Sequence, residues 1–254
     1  FRLGDRMSVR LPSAARYSLQ VDKEQKWLPI LSEKLPLPVP KPLARGEPNH
    51  NYPYNWSIYE WIDGHTATPE CIDDMAKFAT GLGGFLIALR RINAEGGPGP
   101  GPGNRGGDLK VYNDQTQKAI EILSTKSNLD TQLLAEIWDT ALSSKWVHPP
   151  VWIHGDISSG NVLVNNGEIS AVIDFGSTAI GDPACDLSIA WTMFDKDSRD
   201  AFRTIMDLDD DTWARGKGWT LWKSLIILSG IEQTNTFEAK HSLETVYQLL
   251  NDEI

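Results

Sequence analysis

Two aspartates and one asparagine occur in this sequence at a spacing that could support proton transfer and metal binding. Asp156 and Asn161 lie five positions apart within the segment HGDISSGN, and Asp174 opens the triplet DFG thirteen residues after Asn161. A carboxylate can take the proton of a hydroxyl group, and carboxylate and amide oxygens are ligands that Mg²⁺ accepts. We therefore predict that Asp156 is a general base and that Asn161 and Asp174 bind Mg²⁺.

Short apolar strands flank this segment and would position the three side chains. Residues 151–153 form an apolar run before the segment, and residues 162–164 and 169–173 form two more, joined by the turn sequence Asn-Asn-Gly at 165–167. This pattern predicts a β-hairpin, which would return the chain so that Asp174 reaches the same metal from the other side. The alternative is a chance occurrence of HGD and DFG in an ordinary α/β domain, which their order, spacing and strand context together disfavour.

The HGDxxxxN and DFG motifs resemble those of the aminoglycoside phosphotransferase family, in which HGD stands where protein kinases have HRD. The resemblance implies an α+β, protein-kinase-like fold with a small β-rich N-terminal lobe and a larger, mainly helical C-terminal lobe. We expect residues 1–62 to form the nucleotide-binding lobe and residues 63–254 to form the catalytic and acceptor-binding lobe.

A cation and its ion-pair partner are expected on the N-terminal lobe. Residues 7–10 resemble the family's strand that carries a phosphate-binding cation, and Glu24 stands where the partner of that cation is expected. Arg10 replaces the Lys that kinases generally have, and Arg can bind phosphate through two parallel hydrogen bonds. The alternatives are that Arg10 is a surface residue at a strand end and that Glu24 lies on a solvated helix face.

A hinge that holds a nucleotide base is expected at the end of the same lobe. Residues 57–64, SIYEWIDG, resemble the last strand of the lobe and the hinge, so the base of ATP or GTP should contact main-chain groups near Glu60 and Ile62. No GxGxxG motif occurs in residues 1–62, and residue 1 corresponds to a point beyond the loop that covers the nucleotide phosphates in the family. We therefore expect the small lobe to lack its first strands.

The resemblance implies a small-molecule kinase that transfers the γ-phosphoryl group of ATP or GTP to a hydroxyl of an aminoglycoside. Kinases of a macrolide, choline, homoserine or fructosamine on the same scaffold are alternatives, and so is a nucleotide-binding pseudoenzyme. Gly155 replaces the Arg with which protein kinases read a phosphorylated activation loop, which disfavours a protein kinase. Asp195, Asp197 and Glu232 lie in C-terminal segments that supply acceptor contacts in the family, and they could pair with substrate amines.

The composition sets limits on partners and location. The chain has 254 residues, a net charge of −10 and a pI near 5.0, which disfavours a nucleic-acid surface and favours a cationic acceptor. No run of eighteen or more apolar residues and no basic-then-apolar leader occurs, which argues against a membrane span or secretion. Cys71 and Cys185 lie outside any CxxC pattern, which indicates buried thiols in a reducing compartment and a cytoplasmic protein.

Four further features of the sequence lead to structural predictions. The sequence Thr-Pro-Glu at 68–70 predicts the start of a helix. In the segment 96–107, ten of twelve residues are Gly or Pro, which predicts an irregular loop that is either an edge of the acceptor cleft or a plain connector. From the resemblance, His154 should pack beneath the catalytic loop. Asp186 should either hold that loop through backbone amides or be an ordinary acid in a helical turn.

Overall fold

The strands of this protein are short, and most of its helices are longer. The computed structural model describes residues 1–101 and 105–252, and within these ranges the strands are β1 (Arg2–Leu3), β2 (Met7–Arg10), β3 (Pro42–Gly46), β4 (Trp56–Glu60), β5 (His65–Thr66), β6 (Val151–Ile153), β7 (Val162–Asn165), β8 (Glu168–Val172) and β9 (Ala179–Gly181). The helices are α1 (Ala15–Ser32), α2 (Met75–Arg90), α3 (Asn113–Lys126), α4 (Thr131–Leu142), α5 (Ile189–Thr192), α6 (Lys196–Met206), α7 (Asp210–Leu228) and α8 (Thr236–Leu250). Residues 102–104 of the predicted Gly- and Pro-rich loop, and residues 253–254, lie outside the described ranges.

The first sheet contains β1, β2, β4 and β3, in that order, and all of its neighbouring strands are antiparallel. β2 pairs with β4 along its whole length, so that Arg10 lies opposite Ser57. α1 packs against this sheet and buries Glu24 within the same stripe as Leu28 and Leu31. The sheet and α1 lie on the N-terminal side of the boundary predicted between residues 62 and 63.

The remaining strands form two small antiparallel sheets that carry the loop segments of the predicted site. One has the order β5-β7-β8, and the other pairs β6 with β9. Helices surround them, because α2 packs on α6 while α7 packs on both α4 and α8. Large aromatic side chains fill the core between these elements, including Trp138, Trp152, Trp191, Trp213 and Trp219. No helix within the described ranges is both long and apolar enough to cross a membrane.

Two local predictions are wrong. The segment at 68–70 begins only a single 3₁₀ turn, and α2 starts at Met75, where the Asp74 side chain accepts the Lys77 N–H at 2.9 Å. The reason is tertiary: the N–H of Asp73 donates to the carbonyl of Gly167 in the β7–β8 turn at 3.1 Å, so this N–H is not available for an intrahelical bond. Cys71 is exposed, whereas Cys185 is buried as expected.

Candidate active site

The loop after β6 and the β7–β8 hairpin bring the three predicted catalytic residues close together. The Asn161 side-chain amide donates to the backbone carbonyl of Asp156 at 2.9 Å and to its Oδ2 at 3.2 Å. The N–H of Ile173, immediately before Asp174, donates to the carbonyl of Asn161 at 2.8 Å. The side chains of Asp156 and Asp174 are 46% and 42% exposed, respectively. Both carboxylates are therefore oriented by the hairpin and accessible to a ligand.

Asp186 fixes the start of the catalytic loop. Its two carboxylate oxygens accept the N–H groups of His154 at 2.8 Å and Gly155 at 2.7 Å. Burial raises the pKa of this carboxyl group, and His154 and the two amide hydrogen bonds oppose the shift. Asp186 lies in a 3₁₀ turn, Pro183–Ser188, and makes the backbone contacts expected of a brace for the loop.

The His154 ring is fully buried beneath the catalytic loop. It links the start of that loop to the residue that precedes Asp174. The N–H of Asp156 donates to Nδ1 at 3.3 Å, and Nε2 lies 3.0 Å from the carbonyl of Ile173. Since Nδ1 accepts, the ring proton that bonds the carbonyl is on Nε2. The edge of the ring also meets Phe175 of the DFG triplet, with centroids 4.7 Å apart. His154 thus packs as the resemblance implies.

The backbone conformation at position 155 requires glycine. Its φ is +81°, a region that favours glycine because a side chain there is strained. A Cβ at this position would lie 2.6 Å from the carbonyl oxygen of Ser177. The turn that delivers Asp156 therefore leaves no space for any side chain.

Arg10 connects α1 to the DFG triplet. Its guanidinium lies 2.8 Å from Glu24 Oε1 and 2.8 Å from Asp174 Oδ1, and it also donates to Gln20 at 3.1 Å. Burial lowers the pKa of Arg10, but the two carboxylates outweigh this effect and raise it. Arg10 is therefore not an isolated surface residue.

Glu24 is one of the most buried charged groups in the described chain, with 1% of its surface exposed. Besides Arg10, it accepts the hydroxyl of Tyr59 at 2.6 Å. Burial raises the pKa of Glu24, and the Arg10 guanidinium and the Tyr59 hydrogen bond act against this rise. The solvated-face alternative is thus excluded.

A cavity of about 450 Å³ joins these groups to the predicted hinge. Its lining includes all four residues predicted to bind the nucleotide, together with one of the predicted metal ligands: Arg10, Glu24, Glu60, Ile62 and Asp174. Its volume is within the usual range for small-molecule sites. The N–H groups of Glu60 and Trp61 already donate to the carbonyls of Lys41 and Arg6. Within the described residues the N–H of Ile62 donates to no other backbone group, so it is a hinge donor that is available to a base.

The residues present fit a Mg²⁺ ion that would also bind substrate phosphates. No cluster of three or more His, Cys, Asp or Glu side chains suitable for a metal occurs in the described ranges. Mg²⁺ in phosphoryl-transfer sites commonly has one or two protein oxygen ligands plus phosphates and waters. Asp174 supplies one carboxylate, and Asn161 donates through Nδ2, which leaves its Oδ1 as the second hard ligand.

Arg105 is a residue of this site that was not predicted from the sequence. Its Nη2 lies 4.0 Å from Asp156 Oδ1. A signal was present in the sequence, because Arg105 is the single charged residue in the Gly- and Pro-rich segment 96–107.

The three acids expected to face an acceptor have other partners or positions. Asp195 caps α6 by accepting the Ser198 N–H at 3.0 Å. Asp197 is exposed in the first turn of that helix. Glu232 forms an ion pair of 2.6 Å with Lys223.

The sequence matches a family model described as "Phosphotransferase enzyme family" over residues 1–219. None of the curated proteins matches it at a significant level. The solved GDP and kanamycin complex of APH(2")-IIia superposes with a TM-score of 0.72 at 18% identity, covering 98% of this chain and 88% of that one. The GDP complex of wild-type aminoglycoside 2'-phosphotransferase-IIIa gives 0.69 at 19% identity, covering 96% and 86%.

A macrolide enzyme has the same fold. The apoenzyme of macrolide 2'-phosphotransferase MphH from Brachybacterium faecium superposes with a TM-score of 0.57 at 18% identity, covering 98% of this chain and 86% of that one. These likenesses confirm the predicted kinase-like fold with a small sheet-containing lobe and a helical lobe. At such identities they carry no information about the acceptor.

Proposed function

We propose, since the chain belongs to the phosphotransferase enzyme family, that it is a small-molecule kinase transferring the γ-phosphoryl group of ATP or GTP to a hydroxyl. The observation that carries this proposal is the position of Asp156 and Asn161 beside Asp174, at the edge of a cavity that also contains Arg10 and Glu24. This arrangement has a base, oxygen ligands for a cation and a phosphate-binding Arg in one place.

In the proposed reaction, the acceptor hydroxyl approaches Asp156 and its oxygen forms the new bond to the γ-phosphorus. The bond from that phosphorus to the bridging oxygen breaks, and the nucleoside diphosphate leaves with the electron pair. The Asp156 carboxylate takes the hydroxyl proton, a contribution of about 10²- to 10⁴-fold in rate. Asn161 keeps that carboxylate in place through its hydrogen bond to Oδ2.

The other residues bind and orient the nucleotide. Arg10, held by Glu24, would contact the phosphates, and the main chain of Ile62 would contact the base. Asn161 and Asp174 would hold Mg²⁺, which when bound offsets negative charge on the phosphates. Positioning and electrostatic stabilisation carry most of the catalysis, since the transition state of phosphoryl transfer is loose. We also propose that residues 1–62 form the nucleotide-binding lobe and residues 63–254 the catalytic and acceptor-binding lobe.

The identity of the acceptor is the more specific part of the proposal. An aminoglycoside is the acceptor expected from the family resemblance and from the net charge of −10, which would attract a polycation. The solved relatives named above include both aminoglycoside and macrolide enzymes, so both classes belong in the test. The charged side chains that line the cavity next to the catalytic loop are all cations, which favours a different class of acceptor.

The experiment is Mg²⁺-dependent turnover of ATP and of GTP by the purified protein across aminoglycosides, macrolides, amino alcohols and hydroxylated acids. Acceptor-dependent release of nucleoside diphosphate, with the phosphorylated acceptor found by mass spectrometry, is the expected result. Nucleotide binding without turnover on any acceptor would instead favour the pseudoenzyme. The same assay with EDTA tests the requirement for Mg²⁺.

A further inference from the structure

A second cavity, next to the catalytic loop, is lined by basic and aromatic side chains. It has a volume of about 560 Å³ and lies between α1, α7 and residues 99–101 and 105. Arg105, the neighbour of Asp156, forms part of its wall, as do Gly176 and Ser177 at the end of the DFG region. This second cavity therefore adjoins the proposed base, where an acceptor has to bind.

The charged residues that line the second cavity are all cations: Arg16, Lys23, Arg105 and Lys223. Two of them have no carboxylate within ion-pair distance among the described residues. Arg16 donates to the hydroxyl of Tyr17 at 3.1 Å, and Lys23 donates to the carbonyl of Thr178 at 2.8 Å. These two positive charges are available to a ligand.

Nearby acids offset only the other two cations. Arg105 faces Asp156 at 4.0 Å, and Lys223 is paired with Glu232 at 2.6 Å. Glu232 is therefore engaged by a lysine, and it is not a free partner for a substrate amine. The charges of Arg105 and Lys223 are thus offset by those two acids, whereas the charges of Arg16 and Lys23 are not. The surroundings of the second cavity are therefore positive, although the whole chain is acidic.

Aromatic side chains provide an apolar surface on the same wall. Tyr112 and Trp222 both line the second cavity, and their rings lie 3.9 Å apart between centroids with a tilt of 32°. Trp222 is held in place by donating its ring N–H to Gln115 at 2.8 Å. Rigid aromatic faces of this kind suit the carbon skeleton of a ligand.

We propose that the acceptor is a hydroxylated small molecule that carries an anionic group, a carboxylate or a phosphate. This inference rests on the proposed function, because it takes the second cavity as the acceptor site of the kinase. The hydroxyl lies at Asp156, the skeleton packs on Trp222, and the anionic group is held by Arg16 and Lys23. A polycationic aminoglycoside would place its ammonium groups against these cations, and such like-charge contacts suppress binding.

Three probes with one carbon skeleton isolate the effect of charge: glucuronate, glucose and glucosamine, with kanamycin as a fourth. Binding of each to the protein loaded with Mg²⁺ and a non-hydrolysable ATP analogue is measured by titration calorimetry. Glucuronate is expected to bind at least tenfold more tightly than glucosamine, with glucose between them and kanamycin no tighter than glucosamine. Equal affinities, absent glucuronate binding or tightest binding of kanamycin would each overturn the inference.

A variant tests whether these cations are responsible. Arg16→Gln with Lys23→Gln removes the two cations that have no carboxylate partner among the described residues, and it should weaken glucuronate binding tenfold or more while leaving the nucleotide KM within twofold. Lys126→Gln, at an exposed position at the end of α3, is the matched control and should change neither value. A raised nucleotide KM with unchanged glucuronate binding would assign the cations to the nucleotide phosphates and overturn the inference.

The two proposals can fail separately. Turnover on kanamycin, with glucuronate binding no more tightly than glucosamine, would leave the kinase proposal standing and remove the anionic acceptor. Charge-ordered binding without Mg²⁺-dependent turnover on any hydroxylated probe would leave the anionic site standing and remove the kinase. To separate a carboxylate from a phosphate ligand, glucose 6-phosphate is titrated in parallel with glucuronate, and the one that binds more tightly identifies the anionic group.

Discussion

Arg10 on β2 and Asp174 at the end of the β7–β8 hairpin are joined by an ion pair of 2.8 Å. Asp174 has a left-handed backbone conformation, with φ 62° and ψ 66°, which a non-glycine residue keeps only where its surroundings hold it. The Arg10 pair and a 3.4 Å hydrogen bond from the Gly176 N–H are two such contacts. The proposed phosphate-binding cation therefore also positions the proposed metal ligand.

Removing the Arg10 charge should weaken nucleotide binding. Hydrogen bonds to charged groups contribute about 1.5–3 kcal/mol, so Arg10→Gln is expected to raise the KM for nucleotide roughly ten- to hundredfold. Steady-state kinetics with ATP and GTP measure this change. Arg6→Gln is the control, since Arg6 is exposed and its side chain makes no hydrogen bond within the described chain. An unaltered nucleotide KM in Arg10→Gln would assign Arg10 a structural role.

Replacing Asp156 by Asn keeps the shape of the side chain and removes its ability to take a proton. We expect kcat to fall by about 10²- to 10⁴-fold while the nucleotide KM changes little, because Asp156 does not line the nucleotide cavity. Asp139→Asn on the exposed face of α4 should leave kcat unchanged. Retention of wild-type kcat in Asp156→Asn would remove the general base from the mechanism.

A methyl group at Gly155 should disturb both stability and activity. Gly155→Ala would combine a positive φ with a 2.6 Å approach to the Ser177 carbonyl, and we expect a loss of about 1–3 kcal/mol in the free energy of unfolding. The kcat should fall too, because the displaced backbone carries Asp156. Urea denaturation and steady-state kinetics measure the two effects.

The matched control is Gly84→Ala within α2. Nothing lies within 4 Å of the added methyl group there. This substitution should raise the free energy of unfolding by up to about 1 kcal/mol, because Ala favours the helix. Equal effects of the two Gly→Ala changes would contradict the steric argument for Gly155.

The buried Glu24 should give stability a pH dependence of unusual sign for a carboxyl group. Its pKa is raised in the folded state above the ordinary value of 4.5, so the folded protein binds this proton more tightly than the unfolded chain does. The resulting stabilisation is complete below pH 4.5 and is lost as the pH rises through the folded pKa.

Glu24→Gln removes this titration. The difference in free energy of unfolding between wild type and Glu24→Gln should therefore shift in favour of wild type as the pH is lowered towards 4.5, as measured by urea denaturation in a series of buffers. A difference that moves the opposite way would mean that Arg10 and Tyr59 together overcome the effect of burial on Glu24.

The sequence alone determined the parts of the site that lie close together along the chain. Asp156 and Asn161 are five residues apart, and an apolar strand, a turn and a second strand carry Asp174 back to them. Such spacing fixes geometry because hairpins and tight turns have few backbone solutions. The pairing of Arg10 with Glu24 was also predictable, once the resemblance had assigned one to a strand and the other to a helix.

Only the tertiary structure determined the contacts between segments that are distant from one another in the sequence. The contact of Asp186 with the His154 and Gly155 amides, the approach of Arg105 to Asp156 and the cations of the second cavity all depend on how separate elements pack. A net charge of −10 is a sum over the chain and does not fix the sign of the charge in one cleft. That sign depends on which side chains the fold brings together, because electrostatic interactions act over short distances in salt.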